Sequence, residues 1–243
     1  MPNYVTNEIK AAPHVLAALA SKDAMVDFNA IIPRPACFDS EPMARTVDYA
    51  KVVMGVENIP ALHAAATAAG NPADRFTEGD FKSASAVLHY NNVMRQFMEG
   101  PFPKDYDDKE FEEFIKCLRC LRETGHAYWF DWCCDKWGTK WNTGRDDCKK
   151  IDANTIQFIT AWSPPLPVIA ALANRFPEET IAFRWADEDF GSNVGRFTIR
   201  GDEVEGGQLP NNTPESHALA AELIGTENRK LGADGRYSWV DEE

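Results

Sequence analysis

The sequence predicts an α+β protein in which the two ends of the chain share one antiparallel sheet and a large helical insertion lies between them. Three observations carry this prediction. Short β-rich runs flank an apolar helical stretch in the first 33 residues. The same arrangement returns beyond residue 155, and the hundred or so residues between the two read as helical. The 243 residues are 44% hydrophobic and 26% charged, with 15 glycines and 15 prolines, which is globular rather than fibrous or disordered composition.

Asn3 to Ile9 alternates and is rich in β-formers (Tyr4, Val5, Thr6), so it reads as a strand. Pro13 suits a first helical turn, and Val15, Leu16 and Leu19 give the following segment an apolar face. Val26 to Ile32 reads as a second strand, with Phe28, Ala30 and Ile32 on one side, stopped by Pro33 and Pro35. Residues 36–136 look helical, broken at Pro42, Pro60, Gly70-Asn71-Pro72 and Gly100-Pro101. Within them Asp80 caps a helix bearing Phe81, Ala84, Leu88, Met94 and Phe97. Asp107 or Asp108 caps a second, from Lys109 to Thr124, which Gly125 ends.

Thr139 to Asn142 is expected to be a short strand and Ile156 to Trp162 a stronger one. Ser163-Pro164 then opens a helix with Leu166, Ile169, Leu172, Ala173 and Phe176 on its apolar face. Ile181 to Trp185 and Val194 to Ile199 follow as strands joined around Gly191, with Val204 adding an edge. Thr213-Pro214 opens a last helix that stops at Gly225, and Tyr237 and Trp239 are the residues able to pin the tail. The simplest assembly is a split βαβ, ferredoxin-like sheet from residues 1–35 and 137–243, with helices on one face and residues 36–136 as the helical insertion.

Composition narrows the function. No run approaches eighteen consecutive apolar residues, which excludes a membrane-spanning helix by hydropathy. Met1 to Lys10 lacks a basic segment followed by an apolar run, so a cytoplasmic protein is expected. The net charge is −13, and residues 177–243 hold 15 acids against 6 bases. A surface of that sign disfavours ordinary phosphate-neutralising nucleic-acid binding and suits docking on a basic partner.

Six cysteines fit a reducing compartment. Cys117, Cys120, Cys133 and Cys148 match zinc in number, but helical spacing of Phe114, Leu118 and Leu121 puts the first two mid-helix. They read as packed thiols rather than metal ligands. No nucleophile-elbow, zincin or phosphate-loop motif occurs, and the five histidines are scattered. Acid pairs such as Asp187 with Asp189 and Asp146 with Asp147 sit in turn-like stretches. No catalytic residue, metal or cofactor is assigned.

Five of the seven tryptophans fall between Trp129 and Trp162. Trp129, Trp132, Cys133 and Lys136 share helical spacing, as expected of an aromatic stripe docked on the sheet. The same segment is also the best candidate binding surface, formed by Lys136, Lys140, Trp141, Asn142 and Trp162. If 139–142 is a strand, Lys140 and Asn142 share an exposed face opposite Thr139 and Trp141.

Four phrases carry a family resemblance: Pro2-Asn3-Tyr4-Val5-Thr6-Asn7, Phe28-Asn29-Ala30-Ile31-Ile32-Pro33-Arg34-Pro35, Trp137-Gly138-Thr139-Lys140-Trp141-Asn142 and Thr160-Ala161-Trp162-Ser163-Pro164-Pro165. Together they resemble the YubB-like (Api-type) family of phage and plasmid proteins, with Arg34 standing where the family has a methionine. Residues 40–125 match no pattern. The resemblance implies a ferredoxin-like domain, a mobile-element origin and residence in a bacterial host, and it implies no reaction. Two classes of function remain. The first is a non-enzymatic interaction protein that binds a host or phage macromolecule, such as a defence-system component. The second is a binder of nucleotide or single-stranded nucleic acid at residues 128–142. A hydrolase with dispersed carboxylates is a third possibility.

Overall fold

Residues 3–54, 106–144 and 146–240 are described by the computed structural model; the helix expected from Asp80 lies outside them. The chain divides into two compact units, one of residues 1–34 with 132–243 and the other of residues 35–131.

The first unit is built on a six-stranded antiparallel sheet in the order β2-β3-β1-β4-β5-β6. Its strands are β1 (Tyr4–Lys10), β2 (Cys148–Lys150), β3 (Thr155–Ala161), β4 (Ile181–Asp187), β5 (Gly195–Arg200) and β6 (Glu203–Gln208). β1 pairs with β3 through Thr6↔Ile159 and with β4 through Thr6↔Ala186, antiparallel in both cases. β3 and β4 therefore run parallel to each other with β1 between them, which is a split βαβ arrangement.

Alternation along β1 decides what each face holds. Val5, Asn7 and Ile9 point to one face and are fully buried. Thr6, Glu8 and Lys10 point to the other. On the buried face, Asn7 donates its amide to Val5 O at 2.9 Å and to Thr160 Oγ1 at 2.8 Å. Phe28 meets Phe158 of β3 edge-on at 6.1 Å and Trp137 at 5.7 Å. Helices α1 (Pro13–Ala18) and α5 (Leu166–Arg175) bury Val15, Leu16, Val168, Ile169 and Leu172. The C-terminal end of α5 reaches the Phe28 turn through Arg175 and Ala30 O.

Three expectations are corrected here. Val26 to Ile32 is not a strand: Asp27 accepts from Asn29 N and starts a 3₁₀ turn at Phe28–Ala30. A single turn directs Phe28 into the core, where a strand would need a free edge to pair with. The helix after β3 begins at Leu166 rather than at Ser163-Pro164, with no side-chain cap. The helices also do not share one face. Helix α6 (Pro214–Ile224) lies on the opposite face, where Leu219, Ala220 and Leu223 pack with Ala186 and Val194. Gln157 donates to Leu223 O at 3.2 Å from that same face. α6 opens at Thr213-Pro214 and ends at Gly225, as the sequence predicts, and a capping box between Thr213 and Ser216 starts it.

The second unit contains α2 (Ala44–Met54) and α3 (Asp108–Thr124). Val47 and Ala50 pack with Phe114, Cys117, Leu121 and Ala127. Asp107 caps α3 in a capping box with Glu110, and Gly125 closes it at φ +80°. A short helix, α4 (Trp129–Lys136), follows, and the division between the two units falls within it.

Because β1 supplies hydrogen bonds to both neighbours, removing it leaves two edges that cannot meet. Deletion of residues 1–10 is expected to abolish cooperative unfolding, read as loss of a single sharp urea transition by tryptophan fluorescence. A peptide of residues 1–34 added in trans is expected to restore that transition.

Candidate functional site

The cysteines resolve first. Cys117 and Cys120 are buried on α3, and Cys133 on α4. Burial pushes their thiols up to about 11, 12 and 11 respectively, so all three are protonated near neutrality. Among the described residues, no group of three or more histidine, cysteine or acidic side chains is placed to hold a metal ion.

A cavity of about 630 Å³ lies on the α6 side of the sheet, over Glu8, Lys10, Ala182, Arg184, Arg196 and Thr198. Its arginines are already satisfied. Arg184 donates to Glu8 and to Glu222, both at 2.7 Å, and Arg196 donates to Glu215 at 2.7 Å. Phe183 and Phe197 also border it, but the Phe183 side chain is 1% exposed and sits at a position paired with the buried side of β1. The groove therefore presents no unneutralised arginine to a nucleic-acid strand.

The opposite end of the sheet is different. Residues 139–142 are not a strand, which corrects the expected face pattern. Thr139 is buried and donates to Ala161 O at 2.8 Å. Asn142 is not part of an exposed patch: it donates to Asp27 at 2.7 Å and accepts from Phe28 N and Thr143 N at 3.0 Å. Burial works to raise the Asp27 pKa, yet hydrogen bonds from Asn142 and Asn29 hold its carboxyl below the usual range. Lys136 ends α4 and pairs with Asp135 at 2.9 Å.

The remaining three sequence candidates come together. The Lys140 ammonium lies 4.8 Å from the Trp141 ring centroid and 4.5 Å from that of Trp162. Gly138 makes the loop possible. Its φ is +78°, and a Cβ there would collide with Pro167 at the start of α5. Of the other tryptophans in this segment, Trp132 and Trp137 are buried against each other. Of the expected stripe, Trp132 and Cys133 are buried while Trp129 is half-buried and Lys136 exposed, and Trp162 is the exposed tryptophan of the segment.

Trp162 is 42% exposed and has a φ of +74°, in the left-handed region that a bulky side chain avoids. Such a conformation costs on the order of 1–3 kcal/mol and persists only when neighbours fix it. They do so here. Its N–H donates to Asn3 O at 2.8 Å, and its carbonyl accepts from Asn193 Nδ2 at 3.3 Å. Asn193 is held in turn by Asp187, which accepts its amide at 3.0 Å. Asp187 is 4% exposed and also accepts from Asp189 N at 2.9 Å and Asn3 Nδ2 at 3.3 Å. Sequence reasoning missed this support. The run from Asp187 to Asn193 reads as a hairpin loop, and nothing in its pattern says that its side chains reach back to Trp162.

A second feature flanks the same turn, and in it Tyr237 and Trp239 pin the tail as the sequence suggests, though the hairpin they form part of is not foreseen. β7 (Arg229–Leu231) and β8 (Tyr237–Trp239) form a hairpin. The Arg229 guanidinium lies between two rings, 4.4 Å from Phe190 and 4.1 Å from Trp239. His217 on α6 anchors it, with Nδ1 accepting from Tyr237 N at 3.0 Å. Gly191 (φ +88°) permits this, because a Cβ there would strike the His217 ring.

Comparison with known proteins bears on the fold. Residues 136–224, just over a third of the chain, match the family model described as the ferredoxin-like domain in Api92-like protein. The fold is accordingly ferredoxin-like α+β. Among solved structures, the chain is similar to the crystal structure of Api92 from Yersinia pseudotuberculosis. Identity is 11%, the alignment covers 87% of this chain and 99% of that one, and the TM-score of 0.34 is too low to add to the argument. No curated protein matches. No helix among the described residues is long and apolar enough to cross a membrane.

Two outcomes follow from this geometry. At a left-handed φ, glycine is favoured over alanine by about 1 kcal/mol, so Trp162→Gly should be more stable than Trp162→Ala by that amount in urea denaturation. The hairpin is expected to be acid-sensitive. His217 must be neutral at Nδ1 to accept from Tyr237, and burial first, then Arg236, lower its pKa, while Asp234 opposes them. A lowered native pKa contributes stability that is complete above the ordinary value of about 6.5 and is lost as pH falls toward the native value. Thermal unfolding should therefore weaken below about pH 6.5 in the wild type, with a flatter profile in His217→Gln.

Proposed function

We propose that this protein is a non-enzymatic interaction protein of a phage or plasmid, which docks a basic host or phage macromolecule on the Trp162 end of its sheet. The observation that carries the reading is Trp162 itself. An indole is held out of the core in a strained backbone conformation by a dedicated network of Asn3, Asp187 and Asn193. Exposed tryptophans are the residues most often found as binding anchors, because one side chain buries a large area at small entropic cost.

The chemistry of the partner follows from the surroundings. Glu188 and Asp189 are exposed in the turn that holds Trp162, and the chain carries a net charge of −13. Such a field steers a positively charged surface toward the anchor and repels nucleic acid. The resemblance of the chain's phrases to YubB-like proteins supports a mobile element as its source. A protein from such a source that binds a basic host protein fits an inhibitor of a defence nuclease, whose own nucleic-acid surface is basic.

A second reading rests on a separate observation. Lys140 between Trp141 and Trp162 puts rings and an ammonium at one place, the combination that holds a nucleotide by stacking and phosphate contact.

The two readings separate in one experiment with wild-type protein and the Trp162→Gly variant. Immobilised on resin and exposed to lysate, the wild type is expected to retain a basic protein at low salt. The variant should fail to retain it, and about 0.5 M salt should release it. Retention indifferent to both the substitution and the salt would overturn the docking reading. A shift in tryptophan fluorescence on adding nucleotides or oligonucleotides, absent from the variant, would transfer the site to the second reading.

A further inference from the structure

Two cysteines of the second unit meet. The Cys120 thiol on α3 donates to the Cys37 carbonyl oxygen at 3.2 Å, and the Cys37 thiol is within side-chain hydrogen-bonding reach of it. The two residues are 83 apart in sequence, so the fold brings them together rather than chain proximity. The segment that carries Cys37 is fixed along α3. Phe38 closes a turn by donating its N–H to Pro35 O at 3.3 Å, and its side chain is buried. Asp39 then pairs with Lys116 at 3.6 Å, one helical turn before Cys120 and on the same face of α3. The thiols differ in access: Cys37 is half-buried, whereas Cys120 is 3% exposed.

We propose that Cys37 and Cys120 form a redox modification site: a reversible disulfide, made by exchange with a small-molecule disulfide such as oxidised glutathione, that staples the segment around Cys37 to α3. The site is independent of the docking reading, since all its residues lie in the second unit. Access sets the order of steps. The Cys37 thiolate attacks one sulfur of oxidised glutathione, the glutathione S–S bond breaks, and one glutathione leaves as thiolate. Cys120 then gives its proton to solvent and attacks the Cys37 sulfur, and the second glutathione leaves as thiolate. Two protein thiols are oxidised, one glutathione disulfide is reduced to two thiols, and the two protons released are taken up by those thiolates. The second step is slow, because burial pushes the Cys120 thiol up to about 12. A bond that forms slowly and is undone by excess thiol suits a sensor of sustained oxidation rather than a permanent cross-link. Closing so long a loop constrains the unfolded chain, so the staple stabilises the second unit.

The experiment incubates the folded, full-length protein with oxidised glutathione, blocks the remaining thiols by alkylation and maps the tryptic peptides by mass spectrometry. Trypsin cuts after Arg119, so Cys117 and Cys120 fall on different peptides and each linkage is distinguishable. The expected product is a peptide pair joined through Cys37 and Cys120, two hydrogens lighter than the separate peptides and lost on adding dithiothreitol. The oxidised protein should melt at least about 5 °C higher than the reduced protein. Cys37→Ser, a change at the half-buried partner that spares the α3 core, should give no linkage from Cys120 and no rise in melting temperature with oxidised glutathione. Four results overturn the inference: no linkage, glutathione retained on Cys37 without transfer to Cys120, a linkage of Cys120 to Cys117 instead, or a Cys37–Cys120 linkage that forms only when urea is present. A linkage that lowers the melting temperature also overturns it, since the native geometry would then oppose the bond.

Discussion

Strand β1 is hydrogen-bonded along both edges, to β3 on one side and β4 on the other, and the sheet of the first unit depends on that insertion. β3, α5 and β4 form a parallel pair with a gap one strand wide. Unfilled, the gap would expose two rows of backbone donors and acceptors inside the sheet. The segment that matches the ferredoxin-like family model, residues 136–224, contains both walls of the gap but not the strand that fills it. The filling strand arrives from the far end of the sequence, so folding must close a loop of about 150 residues before the central pairing is rewarded. Asn7 fixes the register of that late pairing. It is buried without exposure, and its amide bonds across to Thr160 Oγ1 and Phe158 O on β3 penalise a one-residue slip, which would also turn Val5 and Ile9 outward.

The same insertion builds the candidate site. Asn3 just precedes β1, and its carbonyl accepts from Trp162 N while its amide reaches Asp187. Trp162 follows β3 and Asp187 ends β4, so the three central strands deliver their ends to one place. The strain at Trp162 is sustainable for that reason. Its backbone is bonded to two elements that are themselves locked in the sheet, and Asn193 acts as a bracket between Asp187 and the Trp162 carbonyl. A site mounted on sheet ends and a hydrogen-bonded turn keeps its geometry better than one mounted on a long loop.

What the sequence made legible followed from local chemistry. A cap at Asp107 or Asp108, a helix start at Thr213-Pro214 and the stops at Gly125 and Gly225 are written in neighbouring residues; the structure contains all four, with Asp107 as the cap. Where local chemistry and tertiary demand differ, pattern reading goes astray. Val26 to Ile32 alternates like a strand, yet the Asp27 carboxylate bonds the backbone two residues ahead and closes a turn, and Phe28 gains more by entering the core. Residues 139–142 likewise look extended, but Asn142 spends its amide on Asp27 and Phe28 rather than on solvent. Of the candidate site, Lys140, Trp141 and Trp162 were legible as an aromatic segment with adjacent charge. The Asn193 bracket to Trp162 and the His217 seat were not, since each is a hydrogen bond between residues distant in sequence whose local context is an ordinary turn or helix.

The distribution of charge sets the two faces of the first unit apart. On the α6 side, Arg184 and Arg196 stand opposite each other on β4 and β5, an arrangement that is unfavourable for like charges. Glu8, Glu222 and Glu215 offset it. Acid and base there are consumed in holding α6 onto the sheet. At the Trp162 end, the buried acid Asp187 is satisfied by amides and a backbone N–H, which leaves Glu188 and Asp189 beside it as exposed charge. A sheet face that neutralises itself is a structural face. A sheet end that spends hydrogen bonds to hold an indole outward, and leaves carboxylates beside it, is the part of the molecule on which the proposed docking of a basic partner rests.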